Sequence, residues 1–292
     1  MNALLVLDKP AGMTSHDVVA IVRRVTGERS VGHLGTLDPM ATGVLPLLLG
    51  RYTRLAQFFN AAEKEYTGRI RFGYATDTYD AEGQQVGDAR TLTHGLAELR
   101  GLALRFHGEM NQMPPIFSAK KIGGVAAHTL ARAGAEVPVK PARIHIHHFS
   151  LDALDADEAS FTMRVSAGGY VRSVAHELGA LAGCGAHLSS LRRTFAGIFG
   201  LEHAIAVDAL KQLAGDPAAL SEHTVHPRRM LDHMPAVTVD EHTAGRLRNG
   251  MQANLPEFSA APMLRIFTGP AELFGIGRRI AGTLVQPVVV LT

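Results

Sequence analysis

GHLGTLDPMATGVLPLLLG, residues 32–50, joins a glycine-rich loop to an apolar run. Asp38 stands in it between a Gly35-Thr36-Leu37 turn and Pro39, and within residues 32–43 the only other titratable side chain is His33. Asp followed by Pro often begins a helix, the carboxylate capping free amides and proline taking the first turn. The continuation is poor helix material, because Gly43 comes early and Pro46 interrupts Val44-Leu45 and Leu47-Leu48-Leu49. A short loop feeding a buried strand fits better. Asp38 is then either a turn residue or a carboxylate exposed for chemistry, and the local pattern leaves both open.

Working outward, Leu4-Leu5-Val6-Leu7 reads as a short buried strand ended by the turn Asp8-Lys9-Pro10-Ala11-Gly12. Thr14 caps a helix whose stripe is Val18, Ile21, Val22 and Val25, stopped by Gly27. From Glu65 the period becomes two, with Tyr66, Gly68, Ile70 and Phe72 on one face and Thr67, Arg69 and Arg71 on the other. Phe161, Met163 and Val165 alternate likewise until Ser166-Ala167-Gly168-Gly169. A helix through Val171, Val174, Ala175, Leu178 and Leu181 follows, and Gly183 ends it. Tyr170 and Arg172 thus lie at a glycine-loosened strand-to-helix junction, a usual place for site residues.

The segment from Asn111 to Pro141, with Pro114-Pro115, Lys120-Lys121, Gly123-Gly124 and Arg132, has the texture of a projecting element. After Pro227, short apolar runs between glycine and proline turns predict a small β-rich terminal domain. A chain of 292 residues, 46% hydrophobic and 19% charged, suits two domains better than one. No apolar stretch approaches the roughly 18 residues of a membrane span, and the amino terminus lacks a signal-peptide pattern. One cysteine, Cys184, excludes an internal disulfide and any paired-cysteine zinc or redox motif, and cytoplasmic residence is expected.

A net charge of +2 does not by itself announce a nucleic-acid binder, but six basic clusters, among them Lys120-Lys121, Arg192-Arg193 and Arg278-Arg279, would track a phosphate backbone if folding brought them to one side. Other chemistries find little support. His176-Glu177 lacks the second histidine of a metalloprotease helix, and Gly275-Ile276-Gly277 is not continued as a dinucleotide loop. His145, His147 and His148 read as the wet face of a strand, and Asp77, Asp80 and Glu82 as carboxylates bonding their own turn. No metal site is expected.

Several segments, in order and at compatible spacing, resemble the TruB family of tRNA pseudouridine synthases. They are Leu7-Asp8-Lys9-Pro10, Gly32 to Pro39 with Ala41-Thr42-Gly43, Lys64-Glu65-Tyr66, Gly73 to Thr78, Pro115 to Ala119, Gly169 to Ser173 and Leu188 to Thr194. The resemblance covers about residues 3–200. It implies a pseudouridine synthase fold of α/β (α+β) class, a mixed, largely antiparallel sheet with flanking helices, over residues 1–230, and a β-rich, PUA-like RNA-binding domain over 231–292. It also implies isomerisation of uridine 55 in the TΨC arm of tRNA, with no cofactor and no obligate protein partner.

By position, Asp38 matches the family's catalytic aspartate, Tyr66 the tyrosine packed on the target base, and Arg172 the arginine paired with the aspartate. His33, Tyr170 and Leu191 match residues lining the nucleotide site. Residues from about 114 to 141 resemble the thumb that closes on RNA; Lys120, Lys121 and Arg132 within it, and Arg192, Arg193 and Arg278 of the other basic clusters, are expected to meet phosphates. Phe117, where many members have tyrosine, and Ala127-His128 depart from the family pattern and bear on how RNA is gripped. A guide-RNA-dependent synthase and a tRNA-folding helper share the motifs and stay as alternatives.

Overall fold

The computed structural model describes residues 1–59, 62–117, 121–122, 125–126 and 140–291. The elements that matter for the site are β1 (Ala3–Lys9), α1 (Ser15–Thr26), β2 (Val31–His33), β3 (Thr42–Leu49), β4 (Lys64–Phe72), α2 (Leu96–Ala103), β5 (Gly108–Gln112), β6 (Ala142–Asp155), β7 (Glu158–Val165), α3 (Val171–Leu181), β8 (Ala186–Ala196), β9 (Phe199–Gly200) and β10 (Ile205–Ala206). The strands form one ten-stranded sheet in the order β10-β1-β3-β8-β4-β7-β6-β5, with β2 added to β3 and β9 to β8. Pairing is parallel at β10–β1 and β3–β8 and antiparallel along the rest of the path. This is the mixed, largely antiparallel sheet that the family resemblance implies.

The residues after Asp38 do not enter a helix: a turn closed by the Ala41 amide on the Asp38 carbonyl at 3.1 Å leads into β3. The α1 helix forms where its stripe predicts, with a reciprocal capping box between Thr14 and Asp17 and Gly27 at φ +69°. Its Val18, Val19 and Val22 pack with Leu5, Leu7, Leu45 and Leu47 on one sheet face, and α3 buries Val174, Ala175 and Leu178 in the same core. Burying a Val or Leu side chain contributes roughly 1.5–3 kcal/mol, so this shared core ties the loop-bearing strands to both helices.

The tail is a second sheet built from β11 (Ala236–Thr238), β12 (Ala253–Asn254), β13 (Met263–Phe267), β14 (Leu273–Ala281) and β15 (Leu284–Val290), in the order β11-β13-β14-β15-β12, with α4 (Glu241–Arg248) against it. Phe267, Leu273, Ile276 and Val289 share a core with Leu4, Val6, Val44 and Leu48, so the tail covers the back of β1 and β3. Alternation along β1 therefore places one apolar set in each core.

The parallel junction of β3 and β8 pairs Arg192 with Thr42 and Arg193 with Gly43. Gly43 adopts φ +103°, and a Cβ there would lie 2.1 Å from the Arg193 carbonyl oxygen. Gly43→Ala is therefore expected to cost at least about 2 kcal/mol, combining left-handed strain with a backbone clash. Thermal unfolding checks this; an unchanged melting temperature would refute the close-approach argument.

Candidate active site

The loop from Gly32 to Thr42 is tethered along its length. Leu34 donates its amide to the Pro46 carbonyl, and the Ser15 hydroxyl both accepts from the Leu37 amide at 2.8 Å and donates to the Leu37 carbonyl. Lys9, fully buried, donates to the carbonyls of Pro10, Met13 and Pro39. Arg193 donates to the carbonyls of Val44 at 2.7 Å, Gly35 at 3.0 Å and Thr36 at 3.4 Å. With its backbone held from α1, β1 and β8, the loop leaves the Asp38 carboxylate free of any capping duty.

That carboxylate meets Arg172 in a two-pronged pair, Nε to Oδ2 at 2.9 Å and Nη2 to Oδ1 at 3.1 Å. The Arg172 side chain is 7% exposed, because the first turn of α3 turns it inward. Its remaining donors reach the Thr78 carbonyl at 3.0 Å, the Phe117 carbonyl at 2.9 Å and Asp80 Oδ2 at 3.3 Å. Asp80 is itself buried, and its other oxygen accepts from the Thr78 hydroxyl and the Glu82 amide.

Asp38, Tyr66, Tyr170, Arg172 and Leu191 line one cavity of about 490 Å³, together with Leu34 to Leu37, Lys64 and Arg193. Such a volume suits a small organic ligand or a single extruded nucleoside. Tyr66 faces it from β4 and is nearly buried, at 7% exposed. Tyr170 is placed by Gln112 at the end of β5, which accepts from its amide at 2.8 Å and donates to its carbonyl at 2.9 Å.

Electrostatics set the protonation states. Loss of water pushes the Asp38 pKa above the usual carboxylate value; Arg172 pulls it down and Asp80 pushes it further up. A third of the Asp38 side chain opens to the cavity, so the raised value reflects the dense protein around the rest. Glu82 is raised by burial and by the charges of Asp80 and Asp38. Lys9 is lowered to about 8 by burial, against the attraction of Asp38 and Glu82.

The structure thus brings Asp38, Tyr66, Tyr170, Arg172 and Leu191 together. Among the described residues it does not bring His33 to the cavity wall: His33 ends β2 opposite Leu47, and its buried Nδ1 has no hydrogen-bond partner there. Burial holds the His33 pKa low, with the Arg193 charge adding to it. Arg193 is also placed differently from a phosphate-gripping surface residue, being fully buried with its guanidinium on loop carbonyls. Arg192 is half-buried and paired with Asp8 at 2.8 and 3.0 Å, so a phosphate there has a carboxylate to displace. Arg278 stands exposed on β14. Lys121 begins a two-residue strand, Lys121–Ile122, while Lys120 and Arg132 lie outside the described residues.

Sequence reasoning missed Asp80 and Gln112. Asp77 does bond its own turn, accepting from the Gln84 amide. Asp80 does so with one oxygen only; the other pairs with Arg172, and nothing in the local sequence signals that partner. Gln112 carried no signal beyond its place beside the proline-rich segment.

Comparison with known proteins places these features in context. The family model of the TruB family pseudouridylate synthase N-terminal domain matches residues 23–171, and that of the tRNA pseudouridylate synthase B C-terminal domain matches 172–233. A tRNA pseudouridine synthase B of Solibacter usitatus is 40% identical over 294 aligned residues, covering 100% of both chains. One of Pseudomonas aeruginosa is 37% identical, covering 95% of this chain and 91% of its own. Among solved structures, a chain of a Cbf5-Nop10-Gar1 complex superposes with a TM-score of 0.73 at 25% identity, covering 99% of this chain and 85% of that one.

Proposed function

The chain belongs to the TruB family of pseudouridylate synthases, and from that premise we propose that it converts uridine 55 of the TΨC loop of tRNA to pseudouridine in the Asp38 cavity. The observation that carries the assignment of the site is the two-pronged Asp38–Arg172 pair at the wall of a nucleoside-sized cavity.

The isomerisation breaks the bond between C1′ and N1, turns the freed uracil, joins C1′ to C5, and moves the C5 proton off while N1 gains one. No electron is gained or lost overall. The step that needs the protein is scission of the glycosidic bond, and an ionised carboxylate against the ribose assists it as nucleophile at C1′ or as base on the C2′ hydrogen. Both routes start from Asp38 ionised. Arg172 supplies the opposite charge that favours this form where burial opposes it.

The target base is stacked in an RNA loop and must be extruded at a cost of a few kcal/mol. Tyr66 offers an aromatic face in the cavity, and stacking returns about 1–3 kcal/mol per base. Tyr66→Ala is thus expected to weaken productive binding by that amount, whereas Tyr66→Phe keeps the stack and isolates the hydroxyl in proton transfer. Single-turnover kinetics over a range of RNA concentrations separates the two effects. Equal, small losses for both variants would remove Tyr66 from the site.

The functional test is incubation of the protein with an unmodified tRNA transcript, a chelator present, followed by carbodiimide and primer extension. One new stop reporting position 55 is the expected result. Tight binding without modification would overturn the reading in favour of a folding helper or a guide-dependent enzyme.

A further inference from the structure

Lys64 opens β4 two residues before Tyr66 and lines the same cavity as Asp38, yet the chemistry above does not use it. Its only hydrogen-bond partner among the described residues is the Ala62 carbonyl, 2.9 Å from Nζ. Beside it stands Arg193: a point one Cβ bond above Gly35 is 3.2 Å from Lys64 Cε and 3.6 Å from Arg193 Nη1. Two cationic side chains therefore converge over one glycine of the Asp38 loop.

No carboxylate compensates them among the described residues. Arg193 is bonded to backbone carbonyls alone. The acids flanking Lys64 on its strand are engaged elsewhere, Glu63 by Arg164 and His147 and Glu65 by the Thr194 hydroxyl. Arg193 has a structural duty that explains its burial. Lys64 has none of comparable weight, since one carbonyl two residues away is a small return for a desolvated ammonium. Burial and the neighbouring guanidinium lower its pKa to about 8.

We infer that Lys64 forms an anion subsite in the cavity wall, with the buried charge of Arg193 behind it, and that its ligand is a phosphodiester of the RNA strand beside the extruded uridine. The inference rests on the proposed function and deepens it. A lysine ammonium is a compact point charge suited to a phosphate oxygen. The reactant is a polyanion whose ribose must come against Asp38, itself a carboxylate that repels it. Positive charge at the Gly35 end of the loop draws the phosphate there and leaves Asp38 for the sugar, an attraction that is stronger where water is excluded. Lys64 is thus a positioning residue for the flipped nucleotide.

The test measures binding of a T-arm stem-loop RNA across a salt series, in an Asp38→Asn background so that the RNA is not altered. Lys64→Gln and Lys64→Met are each expected to weaken binding and to lower the slope of log affinity against log salt by about one, the signature of one lost phosphate contact. Lys64→Arg is expected to restore the slope. Both neutral variants remove a desolvated charge and should fold. An unchanged slope, or an equal loss on a fully paired duplex that cannot enter the cavity, would overturn the subsite. Turnover of tRNA transcript by the protein with Asp38 intact is scored separately: its absence defeats the functional reading, while turnover with an unchanged slope defeats the subsite alone.

Discussion

Asp38→Asn is expected to abolish turnover on tRNA, by about 10²–10⁴-fold or more, while leaving RNA binding intact. The amide keeps an acceptor for Arg172 but supplies neither a nucleophile nor a base. The same substitution has a second, opposite consequence. Because burial raises the Asp38 pKa, the folded protein holds that proton more tightly than the unfolded chain does. The group's contribution to stability is complete below the unfolded carboxylate value and is lost as pH rises through the folded one. At neutral pH the ionised carboxylate therefore weighs against folding, and the Asn variant should melt at or above the parent, with the difference disappearing in acid. The acid limb of kcat/KM should likewise lie above the ordinary aspartate value. Retained activity in Asp38→Asn, or an acid limb at or below that value, would sink the assignment.

Arg172→Met carries the next largest effect, and on stability it is the larger. The guanidinium serves Asp38, Asp80 and the carbonyls of Thr78 and Phe117, and is itself nearly buried. Removing one partner of a buried ion pair costs about 3–5 kcal/mol, because the carboxylates left behind lose their direct counter-charge, Lys9 attracting Asp38 without an ion pair. Arg172→Lys is expected to fall short as well, since an ammonium cannot make the two-pronged contact. The diagnostic experiment adds Asp80→Asn to Arg172→Met. If one cation balances two carboxylates, neutralising Asp80 recovers part of the lost melting temperature but none of the turnover. Fully additive losses would show that Asp80 and Arg172 are not coupled.

Much of this was legible from residues 32–50 and their surroundings. Gly43 and Pro46 argued against a helix after Asp38, and the chain indeed turns and enters β3. The helical stripe of α1 and the alternation of β4 are local properties of period 3.6 and 2, so they survive any tertiary arrangement that buries one face. The resemblance of short segments to one family placed Asp38, Tyr66, Tyr170, Arg172 and Leu191 together, and they line one cavity.

Local pattern could not show which charges face inward. His33, Arg192 and Arg193 carry the same labels on paper as residues that touch a ligand. The fates of Arg192 and Arg193 depend on the parallel register of β3 and β8, which joins residues about 150 positions apart and buries Arg193 under the Asp38 loop, and that of His33 on the antiparallel pairing of β2 with β3. Asp80 read as a turn residue because its turn is local, while its second oxygen answers to an arginine 92 positions later, across the fold. Composition and periodicity thus determined the elements, and the resemblance of short motifs pointed to the family and to Asp38 as the candidate carboxylate. Only the tertiary structure decided the partners of each charge, because a desolvated ion must be paired by whatever the folded chain brings within reach.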